Sequence, residues 1–205
     1  MRRTLVVLAD SHLRGQEGCQ LCGVGHAHEA DHTYKCCFPL ILEKASRIPD
    51  SNVVIIAYDD QSIPLCVQKT VPNILSLSLP GEGGLGKWLD DCFRLMCCPG
   101  RSVVAVRSDV PMLPAMCLEL AFDVLASGEV DVVLGSTIYS GAVQLFGMTT
   151  YHSQLFPDIV WNRCDALDNA VERLAELGLR WYILPRWFSR EIPIGMTESE
   201  DPVVS

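Results

Sequence analysis

Apolar residues in this chain fall mostly into short unbroken runs, separated by segments where they recur at helical spacing. Residues 4–9 (TLVVLA), 52–58 (NVVIIAY), 102–106 (SVVAV), 131–134 (DVVL) and 142–146 (AVQLF) are too short for helices and rich in valine. Runs of this kind predict strands covered on both faces. Residues 75–79 and 181–184 read as two further short strands. Helical periodicity marks residues 40–47, 87–96, 114–126 and 165–177. Trp88, Leu89, Cys92, Leu95 and Met96 make one stripe; Ala166, Ala170, Leu174 and Leu177 make another. Pro114 suits a first helical turn, and Gly128 and Gly178 stand where helices stop. Strands alternating with helices predict βαβ units with right-handed crossovers. The expected fold is a mostly parallel, doubly wound sheet in a three-layer α/β/α domain.

The 205 residues suit one domain. No linker or repeat divides them, so we expect a single domain over residues 1–197 and a frayed tail at 198–205. A long loop without periodicity, at 10–37, interrupts the pattern near the start. The opening MRRTLVVLA has the flavour of a signal peptide, but its apolar stretch is too short and no cleavage site follows. It reads as a buried first strand, and the protein as cytoplasmic with no membrane span. A net charge of −9 argues against a nucleic-acid binder, which would show a basic stripe. A phosphate-bearing small ligand remains compatible, since a few backbone N–H groups, one cation and a metal ion can hold it.

In parallel α/β sheets, ligands bind beyond the carboxyl ends of the strands. That directs attention to residues 10–35, Asp59 and Asp60, Arg107–Asp109 and Ser136–Ser140. Asp109 follows the buried run SVVAV. A carboxylate there can hold a divalent cation that bridges a diphosphate; alternatively it caps the turn before Pro111. The glycine-rich GEGGLG, residues 81–86, could bring backbone N–H groups to a phosphate, or serve only as a flexible turn into a helix.

Ten cysteines are many for a chain of this length. Cys66, Cys92 and Cys117 sit in apolar surroundings and read as core residues. Cys19, Cys22, His26, His28, His32 and Cys36 crowd into one loop. Three readings stand for them: a structural zinc clip that orders the loop, no metal, or redox use. Cys97-Cys98 is expected to be reduced, because vicinal disulfides are strained. Trp161, Trp181 and Trp187 read as core or rim.

The blocks LSLPGEGGLGKWLDDCF, VVAVRSDVPMLPAMCLELAFDVL, DVVLGSTIYSGAVQLFGM, LFPDIVW and AVERLAELGLRWYILPRW, in that order, carry a resemblance. The chain resembles the small nucleotide-diphospho-sugar transferases of the glycosyltransferase-A fold, the DUF2064 or arsenosugar-type glycosyltransferases. The likeness covers about residues 75–190 and, less closely, the first two strands. It implies a metal-dependent transferase that moves a sugar from a nucleotide diphosphate to an unknown acceptor.

In the family's S-D-x-P-x-L-P segment the Asp is the metal-binding carboxylate. Ser108, Asp109, Pro111, Leu113 and Pro114 match it, which implies Mg²⁺ or Mn²⁺ at Asp109. The resemblance further implies nucleotide or phosphate contacts at Ala9, Asp10, Arg14, Gly83, Gly86, Arg107 and Ser108. Three departures stand out. The family's basic N-terminal loop is replaced, leaving Arg14 and Lys35 as its cations. The D-G-G-Y block becomes Tyr139-Ser140-Gly141-Ala142, so the acceptor side loses its acid. The late D-x-D-T-P-like block keeps only Glu191 and Pro193. A diverged nucleotidyltransferase, or a non-catalytic binding or regulatory module on the same fold, is therefore the alternative.

Overall fold

The computed structural model describes residues 1–9, 40–58, 75–79, 83–108, 110, 112–138 and 141–187. Among these, the apolar runs form seven strands: β1 (Arg2–Ala9), β2 (Ser51–Tyr58), β3 (Leu75–Leu79), β4 (Arg101–Arg107), β5 (Val132–Ser136), β6 (Val143–Met148) and β7 (Trp181–Ile183). They make one sheet in the order β3-β2-β1-β4-β6-β5-β7. Four helices flank it: α1 (residues 40–46), α2 (Gly84–Met96), α3 (Ala115–Ser127) and α4 (Ala166–Glu176).

Because successive side chains of a strand point to opposite faces, each apolar run feeds two cores. Leu5, Val7, Val104, Val106, Val133 and Leu145 pack with α1 and α3 on one face. Val6, Leu8, Val103, Ala105, Leu134 and Phe146 pack with α2 and α4 on the other. The result is the predicted three-layer α/β/α domain.

Strand direction departs from expectation at one place. β6 runs antiparallel to both β4 and β5, while the other neighbouring pairs are parallel. Only residues 137–142 separate β5 from β6, and no helix lies between them. A parallel return needs a crossover of about a dozen residues or more, so this strand has to turn back on its predecessor. The sheet remains mostly parallel.

Two local expectations also shift. α2 begins at Gly84, three residues earlier than periodicity suggests, and Gly83 (φ +104°) and Gly84 (φ +70°) lead into it in the left-handed region that glycine tolerates. Within α2, Leu95 is exposed and Phe93 takes the buried place, so the apolar stripe runs through residues 88, 89, 92, 93 and 96. Cys92 and Cys117 are buried free thiols, Cys97 and Cys98 are also free, and Trp161 and Trp187 lie in the core. Cys66 lies outside the described residues.

On the α2 and α4 face, four aromatic rings lock the end of the sheet to the helices. Phe146 meets Phe93 with centroids 5.4 Å apart, Phe156 at 5.8 Å and the edge of Trp161 at 5.4 Å. Phe146→Ala is expected to cost about 3–5 kcal/mol, the range for deleting a buried ring. Urea denaturation measures it, and a loss below about 1 kcal/mol would contradict this packing.

Candidate functional site

The chain places β1 first, adds β2 and β3 outward on one side, and then returns to set β4 against the free edge of β1. The strand that follows β1 in sequence, β2, thus lies on one side of the β1–β4 pair, and the strand that follows β4, β5, on the other. A crevice opens at such a switch point. It is narrow, with about 10 Å³ of water-accessible room, opens to solvent, and is lined by Leu8, Leu85, Leu89, Ala105, Val106, Arg107 and Val143–Phe146. Its floor is the ends of β1 and β4, one wall is the start of β6, and the other is the first turns of α2.

Of the predicted site residues, Ala9 ends β1 and is buried. Arg107 ends β4 and lines the crevice. Ser108 follows it, is buried, and donates its backbone N–H to the Leu8 carbonyl at 3.0 Å. That bond ties the end of β4 to the end of β1. Asp109, Asp10, Arg14, Tyr139 and Ser140 lie outside the described residues, as do Asp59, Asp60, Lys35, Glu191 and Pro193. So do all six candidate zinc ligands, Cys19, Cys22, His26, His28, His32 and Cys36.

α2 presents a positive end to the site region. Gly83 is its N-cap and has no side chain with which to cap the first N–H groups, and the first turn holds no acidic residue. The donors of Gly84, Leu85 and Gly86 thus have no partner within the helix. Gly83 has φ +104°, a conformation that side chains rarely adopt, and an added Cβ would lie 2.8 Å from Lys87 Cβ. Gly86 meets a different need. A Cβ there would sit 2.9 Å from Trp161 Cδ1, so the glycine lets helix and indole close together. Gly141 is a packing glycine too: a Cβ would fall 1.7 Å from the Cys164 carbonyl oxygen, and its own carbonyl accepts the Leu167 N–H at 2.9 Å.

Two turns into α2, a buried carboxylate organises the nearby cations. Asp91 accepts Lys87 Nζ at 2.6 Å and the Arg94 guanidinium at 2.8 Å. Burial works to raise the pKa of Asp91, but these two bonds outweigh it and hold the carboxyl below the usual carboxylate range. Among the described residues, no three of His, Cys, Asp and Glu gather as a metal site would require.

The side-chain oxygens Ser136 Oγ, Thr137 Oγ1, Gln144 Oε1 and Asp165 Oδ1 are all buried without a hydrogen-bond partner. Ser136 and Thr137 fall within the stretch that the sequence singles out, whereas Gln144, one polar residue in a strand-like run, carries no motif.

A family model described as an uncharacterized protein conserved in bacteria (DUF2064) matches residues 43–163. No curated protein matches the chain. Three solved structures share its fold. A Desulfovibrio desulfuricans G20 protein, provisionally assigned as a nucleotide-diphospho-sugar transferase, superposes with a TM-score of 0.74 at 20% identity, covering 91% of this chain and 80% of that one. A cytidylyltransferase from Leptospira borgpetersenii superposes at 0.57 with 11% identity, over 91% of this chain and 76% of that one. A mannosyltransferase from Pyrobaculum calidifontis, in complex with GDP-mannose and Mn²⁺, superposes at 0.54 with 16% identity, over 90% of this chain and 55% of that one. Among the described residues, no helix is long and apolar enough to cross a membrane.

Two outcomes test this geometry. Asp91→Asn should lower stability at pH 7. A carboxylate whose folded pKa is depressed stabilises above its unfolded pKa and loses that contribution as pH falls through the folded value. The gap between variant and wild type should therefore shrink below about pH 4. Denaturation at pH 7 and pH 3 reads it, and a gap independent of pH would contradict the assignment. Gly86→Ala should cost roughly 1–3 kcal/mol by forcing Trp161 away; thermal unfolding with no loss would place the indole elsewhere.

Proposed function

The chain belongs to the DUF2064 family of bacterial proteins, and from that premise we propose that it is a metal-dependent transferase that moves a sugar from a nucleotide-diphosphate donor to an acceptor. The observation that carries the reading is the crevice at the carboxyl ends of β1 and β4, with the uncapped start of α2 as its wall. Asp109 follows directly on Ser108, whose backbone is bonded to the end of β1.

In this reading Asp109 holds Mg²⁺ or Mn²⁺, which when bound neutralises charge on the diphosphate. The N–H groups at the start of α2, from Gly83 to Gly86, face the nucleotide or its phosphates, as helix N-termini do for anions. Arg107, with Arg14 from the preceding loop, adds positive charge where the leaving diphosphate becomes more negative. Tyr139, Ser140 and Gly141 stand on the acceptor side.

Nucleotidyl transfer is the second reading, supported by the fold shared with a cytidylyltransferase. It predicts release of inorganic diphosphate from a nucleoside triphosphate, whereas sugar transfer predicts release of a nucleoside diphosphate. The lost acid at Tyr139–Gly141 favours a third, a non-catalytic binding module.

Thermal unfolding with GDP-mannose, UDP-glucose and CTP, each with and without Mn²⁺, tests the proposal. A ligand at 100 times its Kd stabilises by about 2.7 kcal/mol. Wild type should show an Mn²⁺-dependent rise with a nucleotide sugar, and Asp109→Asn should lose most of it. No rise with any of the three would leave the binding module as the reading.

A further inference from the structure

Where β6 meets β5, the ladder slips by one residue. Leu145 pairs with Gly135 and Val143 pairs with Ser136, so Gln144 has no residue opposite it. A bulge of this kind bends the strand and re-aims a side chain, and bulges concentrate next to active sites. Gln144 lines the crevice beside Leu85, Leu89 and Arg107. Its Oε1 is shut off from solvent and accepts no hydrogen bond. Ser136 Oγ, at the register position opposite Val143, is also buried and also lacks a partner.

Leaving a polar atom in this state is costly, and native proteins rarely do so without reason. A leucine at position 144 would have much the same volume without the penalty. None of the described residues donates to this oxygen, which leaves it open to a donor from a bound molecule. The crevice adjoins Arg107, which stands two residues before Asp109.

We propose that Gln144 is a specificity-determining residue of the transferase site, whose Oε1 accepts a hydrogen bond from a hydroxyl of the sugar carried by the nucleotide diphosphate. The inference rests on the transferase reading above. Diphosphate oxygens carry no proton to donate at neutral pH, so the bonded group must be a hydroxyl or a base N–H. The transferred sugar is joined directly to the diphosphate, whereas the base is set off from it by the ribose.

Two variants test this, Gln144→Leu and Gln144→Glu. Without ligand, Gln144→Leu should raise Tm by about 2–4 °C, the shift expected when one unsatisfied group is removed from a domain of this size. Calorimetric titration with Mn²⁺ compares GDP-mannose against GDP, and UDP-glucose against UDP. Gln144→Leu should weaken the preferred nucleotide sugar roughly 10-fold, the worth of one good hydrogen bond, and leave the free diphosphate unchanged. Gln144→Glu keeps an acceptor and should retain more of the sugar preference than Gln144→Leu. Equal weakening of sugar nucleotide and free diphosphate would assign Gln144 to the base and overturn the proposal, as would a fall in Tm. If wild type binds none of the four nucleotides, the transferase reading fails and this one with it. If wild type binds them and Gln144→Leu keeps the same sugar preference, only this inference fails.

Discussion

The central strand β4 is paired on both edges and covered on both faces, and that confinement decides where it can offer a side chain to a ligand. β1 lies parallel on one side and β6 antiparallel on the other. Val103 and Ala105 are buried under α2 and α4, and Val104 and Val106 under α1 and α3. A strand so enclosed has no side chain to offer a ligand along its length. It can present one only where it ends, at Arg107 and Ser108. The same burial, worth about 1.5–3 kcal/mol for each valine, fixes that end against β1 and α2. The reversal of β6 brings the start of a further strand to the same rim, so the crevice has a third side that a purely parallel sheet would not give it.

Much of this was legible from composition along the chain. Doubly covered strands have to be apolar throughout, and runs such as SVVAV and TLVVLA announced them. The amphipathic stripe of α4 gave both its face and its length. The direction of β6 was not legible, because the run AVQLF reads the same whichever way the strand lies. Its orientation is set by the short link to β5. The start of α2 was hidden for a local reason: glycines have poor helix propensity, and the close approach of Gly86 to Trp161 is not visible in the local pattern.

The candidate site was half legible. A carboxyl-end position singles out Arg107 and Ser108 without any structure. Gly86 and Gly141 each have a packing partner far away in sequence, Trp161 and Cys164. A pattern of residue types cannot reveal such long-range partners. Gln144 was invisible for a related reason. A single polar residue in an apolar run resembles ordinary alternation, and its unmatched oxygen appears only once the register of β5 against β6 is known.

The central claim is that the carboxyl end of β4 holds a cation together with a nucleotide diphosphate. Its most direct measurement is a crystal soaked with Mn²⁺ and GDP-mannose, with data collected at the manganese absorption edge. The account predicts an anomalous peak within coordinating distance of the Asp109 carboxylate and of the diphosphate oxygens. A nucleotide bound elsewhere, or manganese absent from that carboxylate while the nucleotide is present, would contradict it.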